Sequence, residues 1–489
     1  MKKLFKLSII LLSLTFVVSC TTDDLDPVLT QDKDLASGIK NLADLKSVLN
    51  SAYDRLSISG YYGRDVLIWG DIWSDNAYAN GNSGRSFWNN MEYLPESGPS
   101  WAGIYNVAAI CNIVIGADHA NLEGNQAEIT HVVGQAHALR ALVHYDALRH
   151  FGQHFVNGGG ASSLGVPYVK TYKVPENLAP PRDTVAQNYA DLQADLTTAI
   201  GNMSPAFETG GDKTSYMTQA GAYAIWARVA LYGGAVVPAL YNAAGSAAKW
   251  VIDNSGAAPV SASSYVSHWS TDNASNSLFE LAFSSTDTRG INGMMYILRG
   301  QAYGDVRILT SATNDATTAP DLYDVYDATD IRFSAAMIGP ERGFPTMLGK
   351  FPTNGGYDNV GIIRVEEMHL IYAEAMLRAG DAATAKTYLN NIPAIRGLGA
   401  DYYASATLAN IMLERRKEFA FEGLRYDDFQ RMGMDLPLVD VIKQRNDDKT
   451  GTPPAFGSHR RALPITMGEM NANPNICLLY TSDAADELR

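Results

Sequence analysis

Apolar residues recur at helical spacing through much of this chain. Tyr189, Leu192, Leu196 and Ile200 stand three and four apart, which predicts an amphipathic helix over 186–203. Pro180-Pro181 stops whatever precedes it, and Asp183 and Thr184 are the capping candidates. Ala138, Leu142, Tyr145 and Leu148 share a stripe over 135–151, ended by Gly152. Tyr223, Trp226, Ala227 and Ala230 mark a helix over 216–233. Val365, Met368, Ile371, Tyr372 and Ala375 mark another over 364–379, and 411–432 reads as a long helix or a helix pair.

The segment 373–389, AEAMLRAGDAATAKTYL, resembles part of a tetratricopeptide repeat: a helix end, a Gly380-Asp381 turn, then a second helix with small Ala383 and Ala385. Small residues let paired helices approach, and stacked pairs share a core. The period of about 34 residues is not kept, so the repeats are degenerate and separated by insertions. Three stretches read as loops: 57–100, 157–180 and 255–364. The last is too long for a structureless loop and should hold short strands or helices. The expected fold class is mainly α, a tetratricopeptide-like helical scaffold with long loop insertions and minor β.

The N-terminus changes the picture. Lys2, Lys3 and Lys6 precede an apolar run over 7–18, the pattern of a secretory signal. Val17-Val18-Ser19-Cys20 resembles a bacterial lipobox, which makes Cys20 the lipidated first residue of the mature chain. The segment 20–35 is an acidic tether carrying Asp23, Asp24, Asp26, Asp32 and Asp34. The full chain has 489 residues and a net charge of −14, which disfavours nucleic-acid binding. Three cysteines cannot make a disulfide framework.

A search for chemistry finds no metalloprotease, nucleophile-elbow, phosphate-loop, paired-cysteine or EF-hand motif. Glu366 and Glu367 are adjacent on a helix and point apart, so they are not a catalytic pair. His137, His144, His150 and His154 lack an acidic or thiol partner at ligand spacing and read as core or surface histidines. Cys111 lies in an apolar stretch and reads as buried. Glu414-Arg415-Arg416-Lys417-Glu418 reads as a salt-bridged helix. Glu366, Arg415 and Arg416 are assigned structural roles. No cofactor is expected. The Asp/Asn-rich loop 270–277 is a calcium candidate, although turn-forming residues alone produce such a composition. Trp226 and Trp250 read as core. Trp88 and Trp269 sit in polar loops, where an aromatic face among amides and hydroxyls suits a sugar ring. With Tyr296, Tyr303 and the polar Arg85, they form the expected ligand face.

Together these segments resemble the SusD/RagB family of nutrient-binding outer-membrane lipoproteins. AHALRALVHYDALRHFGQ over 137–153 and its preceding residue is similar to the family's LRAxxYFDLxRxYG helix. RVEEMHLIYAEA over 364–375 is similar to its R-x-E-E-M-x-L-x-Y-A-E-A, and ERRKEFAFEGLRY over 414–426 to its E-R-R-x-E-x-x-x-E-G-x-R-Y. Leu463-Pro464-Ile465 and Asn473-Pro474-Asn475 resemble the closing motifs. The resemblance implies an outward-facing, lipid-anchored protein of the outer membrane in Bacteroidetes. It implies a SusC-like TonB-dependent transporter as partner, an oligosaccharide ligand or, in one branch, a peptide, and no enzymatic activity. A secreted glycan hydrolase is the rival reading and would need two convergent carboxylates. The expected divisions are a signal peptide over 1–19, the tether over 20–35, family regions over 36–235 and 236–476, and a non-native tail over 477–489 that resembles translated adapter sequence.

Overall fold

The computed structural model describes residues 38–80, 98–299, 303–311, 319–440, 443–444 and 453–476. Fourteen helices lie in them: α1 Leu42–Leu56, α2 Asp65–Ile72, α3 Trp101–Ile115, α4 Gln126–Phe151, α5 Val185–Asn202, α6 Gln219–Gly233, α7 Leu240–Asn254, α8 Tyr265–His268, α9 Met294–Arg299, α10 Val365–Arg378, α11 Ala382–Ile395, α12 Leu408–Phe419, α13 Arg425–Arg431 and α14 Met467–Ala472. Six short strands are interspersed: β1 Ala77–Ala79, β2 Ser277–Leu281, β3 Val306–Ile308, β4 Ile338–Glu341, β5 Phe344–Met347 and β6 Val360–Arg364. They pair antiparallel as β1–β3, β2–β6 and β4–β5. Five of the six lie in the stretch 255–364, as the length of that insertion required.

Local chemistry sets the helix ends. The Thr184 side chain accepts the Gln187 amide proton and starts α5 one residue before the predicted position. Asp381 caps α11 by accepting from the Thr384 amide, so the tetratricopeptide-like turn sits where the sequence placed it. Successive helices pack as neighbours, α3 on α4, α4 on α5, α6 on α7 and α10 on α11. One apolar core runs from Leu45 to Ile476, and a smaller cluster joins α10, α11 and α12. Among the described residues no helix is long and apolar enough to cross a membrane.

The stretch 57–100, expected to be loop, instead contains α2 and β1. Every residue of α2 is buried, so it has no polar face for a period to reveal. The predicted element 411–432 resolves into a pair, α12 and α13, broken at 420–424. Gly423 explains the break. Its φ is +75°, and a Cβ there would lie 2.2 Å from the Val66 carbonyl oxygen of α2. The backbone of that turn is clamped by Asp71, whose carboxylate accepts from the amides of Phe421 at 2.9 Å and Gly423 at 3.2 Å. Burial pushes the Asp71 pKa up to about 6.

Candidate ligand-binding face

The charged motifs build the foundation of this face. Glu414, Arg415, Arg416, Lys417 and Glu418 are all buried. They are not a surface helix bridged along its own length, because most of their partners come from other elements. Glu418 receives Arg332, Arg364 and Arg396 at 2.9, 2.6 and 2.6 Å. Glu366 meets Arg364 and Arg396, whereas Glu367 turns to Arg228 of α6 at 2.6 Å. The two adjacent glutamates thus point to different partners, which suits structure and not a catalytic pair. Arg415 binds Asp428 at 2.8 Å. Arg416 reaches the residues just before β1, donating from Nε to Asn76 Oδ1 at 3.0 Å and from Nη2 to the Asp75 carbonyl at 2.8 Å. Arg425 adds two bonds to the Asp75 carboxylate, both at 2.8 Å.

This buried scaffold fixes β1, and β1 fixes the face. Tyr78 pairs with Arg307 and Ala79 with Val306 across the β1–β3 ribbon. Beyond the ribbon, the Asn80 amide donates to the Asp305 carbonyl and its side chain to the Gly304 carbonyl, each at 2.8 Å. The Gly304 amide in turn donates to the Tyr296 carbonyl at 3.0 Å, within α9. Tyr296 and Tyr303 therefore stand, both half-buried, beside the point where the chain enters the segment 81–97. Arg85 and Trp88 belong to that segment and lie outside the described residues. Beneath the ribbon Arg307 is buried, bonded to the Thr346 hydroxyl at 2.6 Å and the Leu298 carbonyl at 3.2 Å, and among the described residues it pairs with no carboxylate. Burial lowers its pKa.

Trp269 departs from the expected arrangement. Its indole is half-buried against the core. The Lys350 ammonium and the Arg364 guanidinium lie 4.9 and 5.7 Å from its ring centre. Those cations belong to the Glu418 and Glu422 network, so the ring is already engaged by the protein. A loop tryptophan in polar sequence gives no sign of this, because its covering residues are 81 and 95 positions away. Tyr78 and Asn80 were missed for a different reason: a three-residue strand is too short to show an alternating pattern.

The other candidates resolve into structure. His137 does have an acidic partner, Asp195 at 2.9 Å, but it comes from α5, 58 residues on. His144 accepts the Val169 amide at Nε2 and stacks on Tyr168. No group of three or more His, Cys, Asp or Glu at metal-binding distance occurs among the described residues. In the calcium-candidate loop, Asn273 accepts from the Thr214 hydroxyl and Asn276 donates to Glu366, so both amides already serve the protein. Cys111 is buried, and its thiol pKa is pushed up to about 12. Trp226 and Trp250 pack at the edge of the core, half-buried. Trp69 and Trp73 are stacked in the interior at 5.2 Å. A wider groove of about 650 Å³ lies between α3, the 167–180 loop and α14, with Leu178 exposed on its wall.

Similarity to known proteins agrees with this architecture. A family described as "Starch-binding associating with outer membrane" matches residues 28–231, and the SusD family matches residues 352–477. A SusD superfamily protein of Bacteroides thetaiotaomicron has the same fold, with 24% identity and a TM-score of 0.76 over 90% of this chain and 100% of that one. A SusD-like carbohydrate binding protein of Bacteroides vulgatus is 19% identical, with a TM-score of 0.72 over 90% and 98%. A laminarin binding SusD-like protein is also 19% identical, with a TM-score of 0.69 over 90% and 99%. No curated protein matches the sequence. With both halves of the family pattern in order on the family's fold, the chain belongs to the SusD/RagB family.

Proposed function

We propose that this protein captures oligosaccharides at the bacterial surface and passes them to a TonB-dependent transporter of the SusC type, making and breaking no bond. Cys20 holds it to the outer membrane through lipid. The reading rests first on the β1–β3 ribbon, which gathers Tyr78, Tyr296 and Tyr303 at the root of the segment that carries Arg85 and Trp88. Aromatic faces beside amide and hydroxyl groups are the usual means of holding a sugar ring. The starch-binding description of the matching family and the laminarin-binding relative support the same ligand class.

Titrating the mature chain against a glycan panel, with product analysis in the same tubes, tests this. Binding without turnover is expected. Shortened products would return the hydrolase reading, and affinity for peptides alone would move the protein to the peptide branch. Fractionating cells that carry Cys20→Ala tests the anchor: the variant should leave the membrane fraction, and retention there would remove the lipid from the account.

A further inference from the structure

A second pocket, sharing no helix or strand with the face above, lies between α1, the first half of α4 and the 203–218 loop. Its volume is about 280 Å³. That is just below the range of about 300–1,000 Å³ usual for small-molecule sites, which suits a single ring and not a chain. One wall is the ring of Tyr216, 42% exposed although it is among the larger apolar side chains. Its orientation is fixed from behind. Tyr53 meets it edge-on at 5.5 Å, accepts the Met217 amide at 2.9 Å and donates to Gln135 Oε1 at 2.9 Å. The Gln135 amide lies 3.0 Å from His131 Nε2, and His131 Nδ1 accepts the Ser204 amide. The platform is therefore built before any ligand arrives.

The charges around the pocket cancel. Lys46 and Lys213 face Glu128 and Glu208, with Lys46 paired to Glu128. Burial lowers the His131 pKa, which keeps that ring neutral. The lining offers ammonium and amide donors together with carboxylate and amide acceptors, and Asn50 supplies both kinds on one side chain. Each sugar hydroxyl is at once donor and acceptor, so a neutral polyol uses such a lining fully, whereas an anion or a cation meets equal attraction and repulsion. The wide groove by α3 also has aromatic walls, Trp101, Tyr105 and Tyr172, but its charges do not cancel, since Arg55 and Lys173 face Glu469 alone.

We infer that this pocket is a second carbohydrate subsite, taking one neutral pyranose unit with its apolar face on Tyr216 and its hydroxyls among Asn50, Gln135 and the two Lys–Glu sets. The site stands apart from the face rooted at β1–β3, and its test does not depend on transport or on that face.

The test uses saturation-transfer NMR titrations of the mature chain. The probes are the methyl glycosides of glucose, galactose and mannose, with glucuronate and glucosamine as charged counterparts. At least one neutral glycoside should bind with a millimolar Kd. Tyr216→Ala should weaken it by about tenfold, and Tyr216→Phe should retain it, because phenylalanine keeps the apolar ring face on which the sugar stacks. Lys213→Met should weaken it severalfold. Melting curves keep the Tyr216→Ala result interpretable. The assignment is overturned if no neutral glycoside binds, if Tyr216→Ala binds like the parent, or if a charged counterpart binds more tightly. It is equally overturned if Tyr303→Ala, and not Tyr216→Ala, abolishes binding, since that would put the sugar on the other face.

Discussion

Asp195 in α5 and Glu418 in α12 are both buried carboxylates that gather helices, and they do so by different means. Asp195 accepts a two-pronged bond from Arg140 at 2.8 and 2.6 Å, one from the Tyr168 hydroxyl at 2.6 Å and a contact from His137 at 2.9 Å. One arginine, one tyrosine and one histidine satisfy it. Glu418 instead sits among three arginines, and Glu366, Glu414, Glu422 and Asp330 hold the other ends of those arginines. Both carboxylates are held below the usual range, Asp195 chiefly by the Arg140 and His137 bonds and Glu418 by Arg396 and Arg364, in each case against the desolvation that raises it. A hub with one counter-ion can lose it and leave a single stranded charge. Loss of a shared centre takes one partner from each of three buried arginines at once, although each keeps another carboxylate.

The largest consequence should follow from Glu418→Ala. Three guanidiniums would lose a partner in the interior, where breaking one buried pair costs roughly 3–5 kcal/mol. Urea denaturation should register a loss at the top of that range or fail to find a folded state. A loss under about 1 kcal/mol would mean the neighbouring acids compensate and the hub is not shared as described.

Both regions should answer to pH, because burial lowers the pKa of His144, His150 and His154 in the N-terminal region and of His268 in the C-terminal one. Burial holds the His144 pKa down at about 4, against about 6.5 in the unfolded chain. The neutral form is favoured on folding, so this stability is complete above pH 6.5. It drains as pH falls towards 4, by about 3 kcal/mol in all. Denaturation at pH 7 and pH 4.5 should show a smaller loss in His144→Gln than in the parent, the remainder coming from the other buried histidines. An equal pH dependence in both would remove His144 as its source.

The loop face should separate from both hubs. Tyr303→Ala should weaken the matching glycan by on the order of 2 kcal/mol and leave the unfolding midpoint in place, as calorimetry and denaturation together would register. Full affinity would place the site elsewhere, and a lowered midpoint would make Tyr303 part of the packing. The smallest effect is expected from ending the chain at Ile476, itself buried. Melting and binding should match the full chain, and a drop of several degrees would give residues 477–489 a structural role.

The helices of this protein are legible because their stripes and caps are local: Tyr189 to Ile200, Thr184 and Asp381 announce themselves within one or two turns. The charged motif over 414–426 is legible as a pattern, whereas the turn at Gly423 is not. What the pattern implies physically is not legible, since Arg416 is neutralised by Asp75 and bonded to Asn76 from 340 residues away. Separations of 81 and 95 residues likewise hid the state of Trp269, which composition marked as a platform and which folding placed under Lys350 and Arg364. α1 was readable from Leu45, Leu49, Ala52 and Leu56 and was overlooked, whereas α2 carries no polar face to read.

Sequence by itself determined the helical class, the cap positions, the family pattern and the absence of a recognisable catalytic motif, because each of these is written in residues close along the chain. Tertiary structure alone decided which charges are buried together. It decided that Tyr296 and Tyr303 meet the segment after Asn80, and that Tyr216 stands over a charge-balanced pocket. Burial, pairing and concavity are properties of contacts between distant residues, and a one-dimensional pattern does not contain them.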